Sequence, residues 1–112
     1  MIVYAVTVFA IAALGGLFLA AHVLRDKFAP WTVSLLHAGL GALGLVLLIV
    51  ALAQGAGSQP VVVGFGILAI AALGGFFLAS FHVRKRLPPK GIVVVHAGAA
   101  VTGFLTILSQ VL

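Results

Sequence analysis

Cysteine, asparagine and glutamate are absent from this chain, and Asp26 is its one acidic residue. Without cysteine there is no disulfide, no thiolate metal ligand, no iron–sulfur cluster and no thiol nucleophile. Without a second carboxylate there is no acid–base pair for hydrolysis. No serine or threonine stands in a recognisable nucleophile–base–acid pattern, and no glycine-rich loop of phosphate-binding form occurs. Charge is scarce in general, at 6% of residues, whereas 64% are hydrophobic.

That imbalance sets the class. A chain of 112 residues has too much surface for its volume to hide such an apolar composition in one small core. With a mean hydropathy of +1.40, its natural solvent is lipid. Four runs are long enough to cross a hydrocarbon layer of about 30 Å as helices: residues 2–24, 31–53, 60–83 and 91–112. Little remains outside them, which places any chemistry within the membrane or at its surface.

The charges give an orientation. All six basic residues fall in two short connections, Arg25 and Lys27 in the first, and Arg84, Lys85, Arg86 and Lys90 in the third. The connection Gln54–Gln59 has no charged side chain. By the positive-inside rule the basic connections face the cytoplasm, and both termini face outward with the neutral connection. The net charge of +5 is therefore a topology signal. It does not indicate nucleic acid, since no soluble basic face accompanies it. Membrane lipid is the expected surrounding, with anionic headgroups near Arg84-Lys85-Arg86. Met1-Ile2-Val3-Tyr4 lacks the positive charge that opens a cleavable signal peptide, so the first run is expected to be retained. The expected location is a bacterial inner membrane.

The two halves repeat. Ala13-Leu14-Gly15-Gly16-Leu17-Phe18-Leu19-Ala20 returns as Ala72-Leu73-Gly74-Gly75-Phe76-Phe77-Leu78-Ala79, and His37-Ala38-Gly39 returns as His96-Ala97-Gly98, both at an offset of 59 residues. Tandem hairpins that each cross the membrane twice have the same orientation and a pseudo-two-fold axis along the membrane normal. The predicted fold is all-α: a transmembrane four-helix bundle of two repeated helical hairpins, about 1–56 and 57–112, forming one membrane domain. His22 and His82 depart from the register, with an offset of 60. Ser80-Phe81-His82 then reads as one residue longer than Ala21-His22, turning the two histidines to different directions.

Each run carries one histidine: His22, His37, His82 and His96. Groups that ionise or bind metals are expensive at membrane depth and mark functional sites there. His22 and His82 lie within about 5 Å of the basic surface, and His37 and His96 roughly 9 Å in, at 1.5 Å per residue. All four thus occupy the cytoplasmic third, close enough in height to share ligands. Gly15 precedes His22 by seven residues, Gly75 precedes His82 by seven, and Gly44 and Gly103 follow His37 and His96 by seven. Seven residues are about two helical turns, which returns to nearly the same face. Each helix then offers an imidazole and, about 10 Å deeper, a missing side chain. Together these suit a flat macrocycle. Glycines alone favour close helix packing, and only their phase with the histidines favours a cofactor slot.

One histidine with in-phase glycine on each of four spans resembles the membrane b-type cytochromes, in which paired histidines on neighbouring transmembrane helices bind haem axially and glycines make room for it. The pattern is also similar to small four-span bacterial membrane proteins and to minimal designed membrane cytochromes. The resemblance implies haem b, one or two per chain, with His22, His37, His82 and His96 as iron ligands and Gly15, Gly44, Gly75 and Gly103 as its cradle. Either His37 pairs with His96 and His22 with His82, or each haem takes one shallow and one deep histidine. The implied function is electron transfer near the cytoplasmic face, with a quinone or a redox protein as partner. Any enzymatic activity would be redox. Electron passage across the bilayer is not expected, because every histidine lies on one side. The basic connections would meet the haem propionates. Trp31 and Tyr4 read as interfacial anchors, and Phe81 as a residue that could line a haem face.

Two alternatives remain. A site of four imidazoles could bind zinc, nickel or copper, or the histidines could serve as interhelical hydrogen-bond groups in a structural subunit. Small multidrug transporters are excluded by the absence of an acidic residue in any span, and fluoride channels by the absence of asparagine. The topology has a direct measurement. In intact cells a cysteine placed at position 57 should react with an impermeant maleimide, and one at position 27 should not. The reverse pattern would invert the orientation.

Overall fold

The computed structural model describes residues 1–112. Four helices follow one another: α1 (Ile2–Val23), α2 (Trp31–Ala53), α3 (Gln59–Val83) and α4 (Lys90–Leu108). All four are long and apolar enough to cross a membrane. A helix is the natural state of such segments, since lipid offers no partner for backbone N–H and C=O groups and each must bond within the segment. Proline sets three of the starts. Pro30 and Pro89 are the N-caps of α2 and α4, and Pro60 lies in the first turn of α3, positions where a missing N–H removes no helical bond.

Three of the helices end in one way. At the end of α1, Lys27 N–H bonds the His22 carbonyl and Asp26 N–H that of Val23, with Asp26 at φ 59°. At the end of α3, Arg86 N–H bonds Phe81 and Lys85 N–H bonds His82, with Lys85 at φ 56°. The end of α2 repeats this around Gly55, at φ 88°. These paired bonds closed by a left-handed residue are Schellman caps, and they use up carbonyls that the helix end would otherwise leave bare. Only the neutral connection supplies glycine at the left-handed position; the basic ones use Asp26 and Lys85. α4 stops four residues before the predicted limit of 112. Ser109, Gln110 and Val111 form a tight turn in which Gln110 and Val111 bond carbonyls three residues back and the Ser109 hydroxyl donates to Thr106 at 2.7 Å.

The helices form two hairpins, α1 with α2 and α3 with α4, joined by contacts of α1 with α4 and α2 with α3. α1 and α3 stand on one diagonal, α2 and α4 on the other. The bundle is elongated, 43 × 23 × 21 Å. The 59-residue repeat carries into the packing. Phe9 fills the space before Gly44, and Leu68 that before Gly103. Leu48 and Ile107, equivalent in the repeat, are both fully buried. The caps preserve the same register, for Lys27-to-His22 matches Arg86-to-Phe81. The reading of Ser80-Phe81-His82 as one residue longer is therefore corrected: nothing is inserted, Phe81 takes the place of His22, and His82 takes the place of Val23.

The core is lopsided. Its cluster comprises Ala5, Val6, Phe9, Leu48, Val61, Leu68 and Ile107, all in the half nearest the neutral connection. Of the 14 buried residues, only Val93 belongs to the half nearest the basic connections, with Ala12 and Ala71 at the middle of their helices. Burial is thus concentrated in the neutral half.

The expectation that Gly44 and Gly103 leave a slot for a macrocycle edge is corrected by this packing. A Cβ on Gly44 would lie 2.5 Å from Phe9 Cε1, and one on Gly103 would lie 2.7 Å from Leu68 Cγ. On α3, Gly64 lets Ile107 in, since a Cβ there would lie 2.5 Å from Ile107 Cδ1. These glycines allow close helix approach. Gly44→Leu and Gly103→Leu should therefore each destabilise the bundle by about 1–3 kcal/mol through overpacking. Gly39→Leu, with nothing within 4 Å of an added Cβ, should be close to neutral. Thermal unfolding of the three variants in detergent measures the difference.

Candidate functional site

Two of the four histidines meet. His37 on α2 and His96 on α4 approach across a diagonal of the bundle, with ring centroids 6.2 Å apart and planes at 85°. Each is held by the neighbouring helix of its own hairpin. His37 Nδ1 lies 2.8 Å from the Ala12 carbonyl oxygen on α1, and His96 Nδ1 lies 2.8 Å from that of Ala71 on α3. A carbonyl can only accept, so Nδ1 carries the proton in both rings. In the neutral imidazole this leaves Nε2 with its lone pair free, the arrangement found where histidine binds a metal. Neither Nε2 has a hydrogen-bond partner in the protein.

Glycine explains how an imidazole reaches a main-chain carbonyl already inside a helix. The residues three and four positions after a helical residue flank its carbonyl. After Ala12 these are Gly15 and Gly16, and after Ala71 they are Gly74 and Gly75. A Cβ on Gly16 would stand 2.9 Å from His37 Cε1, and one on Gly75 would stand 3.2 Å from His96 Cε1. Gly15 and Gly74 are less confined, with the nearest atoms of the same histidines at 3.7 Å. The double glycine of each repeat therefore uncovers a carbonyl for the histidine 25 residues downstream. Gly15 and Gly75 do sit beside histidines, but those of the partner helix, His37 and His96, and not His22 and His82 on their own helices.

His22 and His82 stand apart from this pair and from each other. Nδ1 of His22 donates to the Phe18 carbonyl of its own helix at 2.9 Å, and the ring lies 4.5 Å from that of Phe18. His82 lies flat on Trp31, with centroids 3.8 Å apart and planes 6° from parallel; Phe28 is 6.1 Å away. Its ring makes no hydrogen bond to the protein. Trp31 is thus packed between hairpins as well as placed at an interface. Phe81 lies beneath the Arg84 guanidinium, 4.7 Å from its ring centre.

No group of three or more histidine, cysteine or acidic side chains converges as a metal site, so the four-imidazole alternative loses its geometry. His22 and His82 lie seven residues beyond Gly15 and Gly75, the glycines that face His37 and His96, and about 10 Å of helix keeps them from the pair. Ala12 and Ala71 were missed from the sequence, since a carbonyl acceptor has no side-chain signature. The glycines that follow them were the available signal.

Comparisons with protein families, with curated proteins and with solved structures find no match for this chain.

The seat of the imidazole can be tested apart from any cofactor. Gly16→Ala should displace the His37 ring and weaken its bond to Ala12, Gly75→Ala should do so less, and Gly15→Ala least. Imidazole ¹⁵N chemical shifts report the hydrogen-bonded Nδ1 directly. An unchanged His37 spectrum in Gly16→Ala would refute the account of the double glycine.

Proposed function

We propose that the chain is a membrane haem b protein that transfers electrons near its basic end, with His37 and His96 as the residues that would hold a single haem. The observation that carries this reading is their spacing. A first-row metal bonds imidazole nitrogen at about 2.0–2.1 Å and the ring centre lies roughly 1.2 Å further on, so two imidazoles on one ion stand about 5–6.5 Å apart. The separation of 6.2 Å lies in that range.

The surroundings support the same reading. The largest fully buried side chains, Leu48, Ile107 and Val61, all belong to the neutral half, away from the two rings. Haem b, when bound, would supply a one-electron ferric–ferrous couple. The protein's own part is to hold both rings by their Nδ1–H groups, which fixes their orientation and makes Nε2 a better donor. Arg25, Lys27, Arg84 and Arg86 would offer cations to propionates at the interface. His22 and His82 have no axial role in this reading. With the single site in one half, donor and acceptor, whether quinone or redox protein, act from the basic side.

A second reading draws on the Nδ1 bonds themselves: the imidazoles fasten each hairpin, and the protein is a structural subunit. Interhelical hydrogen bonds in bilayers contribute about 1 kcal/mol each, so both readings include that effect. Only the haem reading needs the free Nε2 atoms.

Optical spectra of protein purified from haem-replete cells separate the two. A reduced-minus-oxidised b-type spectrum with one haem per chain is expected, lost in His37→Ala or His96→Ala and kept in His22→Ala and His82→Ala. Folded but colourless protein would leave the structural reading. Equal loss of haem from all four variants would refute the pairing.

A further inference from the structure

The pseudo-symmetry of the bundle is broken at one corner. Where the first connection meets α4, Asp26 pairs with Lys90 at 3.1 Å. The repeat places Lys85 and Trp31 at the corresponding corner, where the third connection meets α2. There the cation has no carboxylate, because Asp26, the only acid, is engaged at the other corner. His82 takes the place of Val23. The result is a pocket of about 260 Å³ lined by Phe28, Trp31, His82 and Lys85.

Three features give this pocket an anionic preference. Lys85 is an unpaired cation beside Arg84 and Arg86. His82 is the one histidine with no hydrogen bond to the protein, held by its stack on Trp31, so its ring N–H remains free to donate. The pocket also borders the start of α2, where Pro30 gives no side-chain cap and Ser34 N–H is the first amide to find a carbonyl, that of Pro30 at 3.1 Å. The free amides before it carry the positive end of the helix dipole.

From Trp31 the surface continues into an open apolar groove of about 540 Å³ that descends α2 past Leu35, Leu36 and Gly39 to Leu43. Gly39 has no neighbour within 4 Å of an added Cβ, so the groove floor there is bare backbone. Twelve residues of helix span about 18 Å, comparable to an extended acyl chain. Trp31 belongs to both the pocket and the groove.

We infer that this corner is a specific site for an anionic glycerophospholipid, with its phosphate between Lys85 and His82 and one acyl chain along α2. The site is independent of the His37–His96 pair. It differs from general attraction between basic loops and anionic lipid, which would weaken equally on loss of either lysine's charge.

The detergent-solubilised protein, as purified, can be mixed with equimolar dioleoyl phosphatidylglycerol and dioleoyl phosphatidylcholine and its bound lipid read by native mass spectrometry. One phosphatidylglycerol per chain should be retained in preference to phosphatidylcholine. Lys85→Gln should lower that preference roughly fivefold, and His82→Val, which copies the residue of the other corner, should also lower it. Lys90→Gln should leave it unchanged. Circular dichroism of each variant checks that the helices persist, and Lys85, being exposed, can be replaced without disturbing the bundle. Absence of preference, or an equal effect of Lys85→Gln and Lys90→Gln, would overturn the inference. Displacement of the lipid by equimolar inorganic phosphate would overturn it as well, by making the site one for a free anion.

Discussion

Each hairpin of this bundle depends on an imidazole that reaches across to a main-chain carbonyl of its partner helix. In lipid, helices gain little from hiding apolar surface, because the tails around them are as apolar as leucine; close packing and interhelical hydrogen bonds must supply the specificity. The bonds from His37 to Ala12 and from His96 to Ala71 fix the height and rotation of α2 on α1 and of α4 on α3. Slipping either helix by one residue would strand a histidine against lipid and cover the carbonyl with a side chain. The glycine pairs, the orientation of the two rings and the proximity of His37 to His96 all follow from this one contact made twice.

The fold was largely legible from the sequence, because in this composition the signals are few and strong. Apolar length gave the four spans, the prolines marked their starts, and the repeat gave two hairpins. The ends were less clear. Ser109 closes α4 by turning its hydroxyl back to Thr106, a local competition that hydropathy does not register. The left-handed caps at Asp26 and Lys85 were also hidden, since neither residue advertises that conformation as Gly55 does.

The site was legible in part, for the two turns of helix that separate His22 and His82 from the level of His37 and His96 were read as too small a gap. Counting from the basic connections placed His37 and His96 at a common height, while the distribution of four histidines among partners depended on that gap and on rotations that residue spacing gives only to within a turn. Glycine was the most ambiguous letter. Gly44 and Gly103 admit Phe9 and Leu68, whereas Gly16 and Gly75 admit imidazoles, and nothing in the sequence distinguishes an absent side chain that receives a ring from one that receives a leucine. The distinction appears only once the neighbouring helix is in place.

The concentration of Leu48, Ile107, Phe9 and Val61 in one half has a mechanical consequence. At the basic end the hairpins also meet through partly exposed contacts, Asp26 with Lys90 and Trp31 with His82. A bundle joined in this way holds most firmly at its neutral end, so a force that pulled the hairpins apart would be felt first at the basic connections.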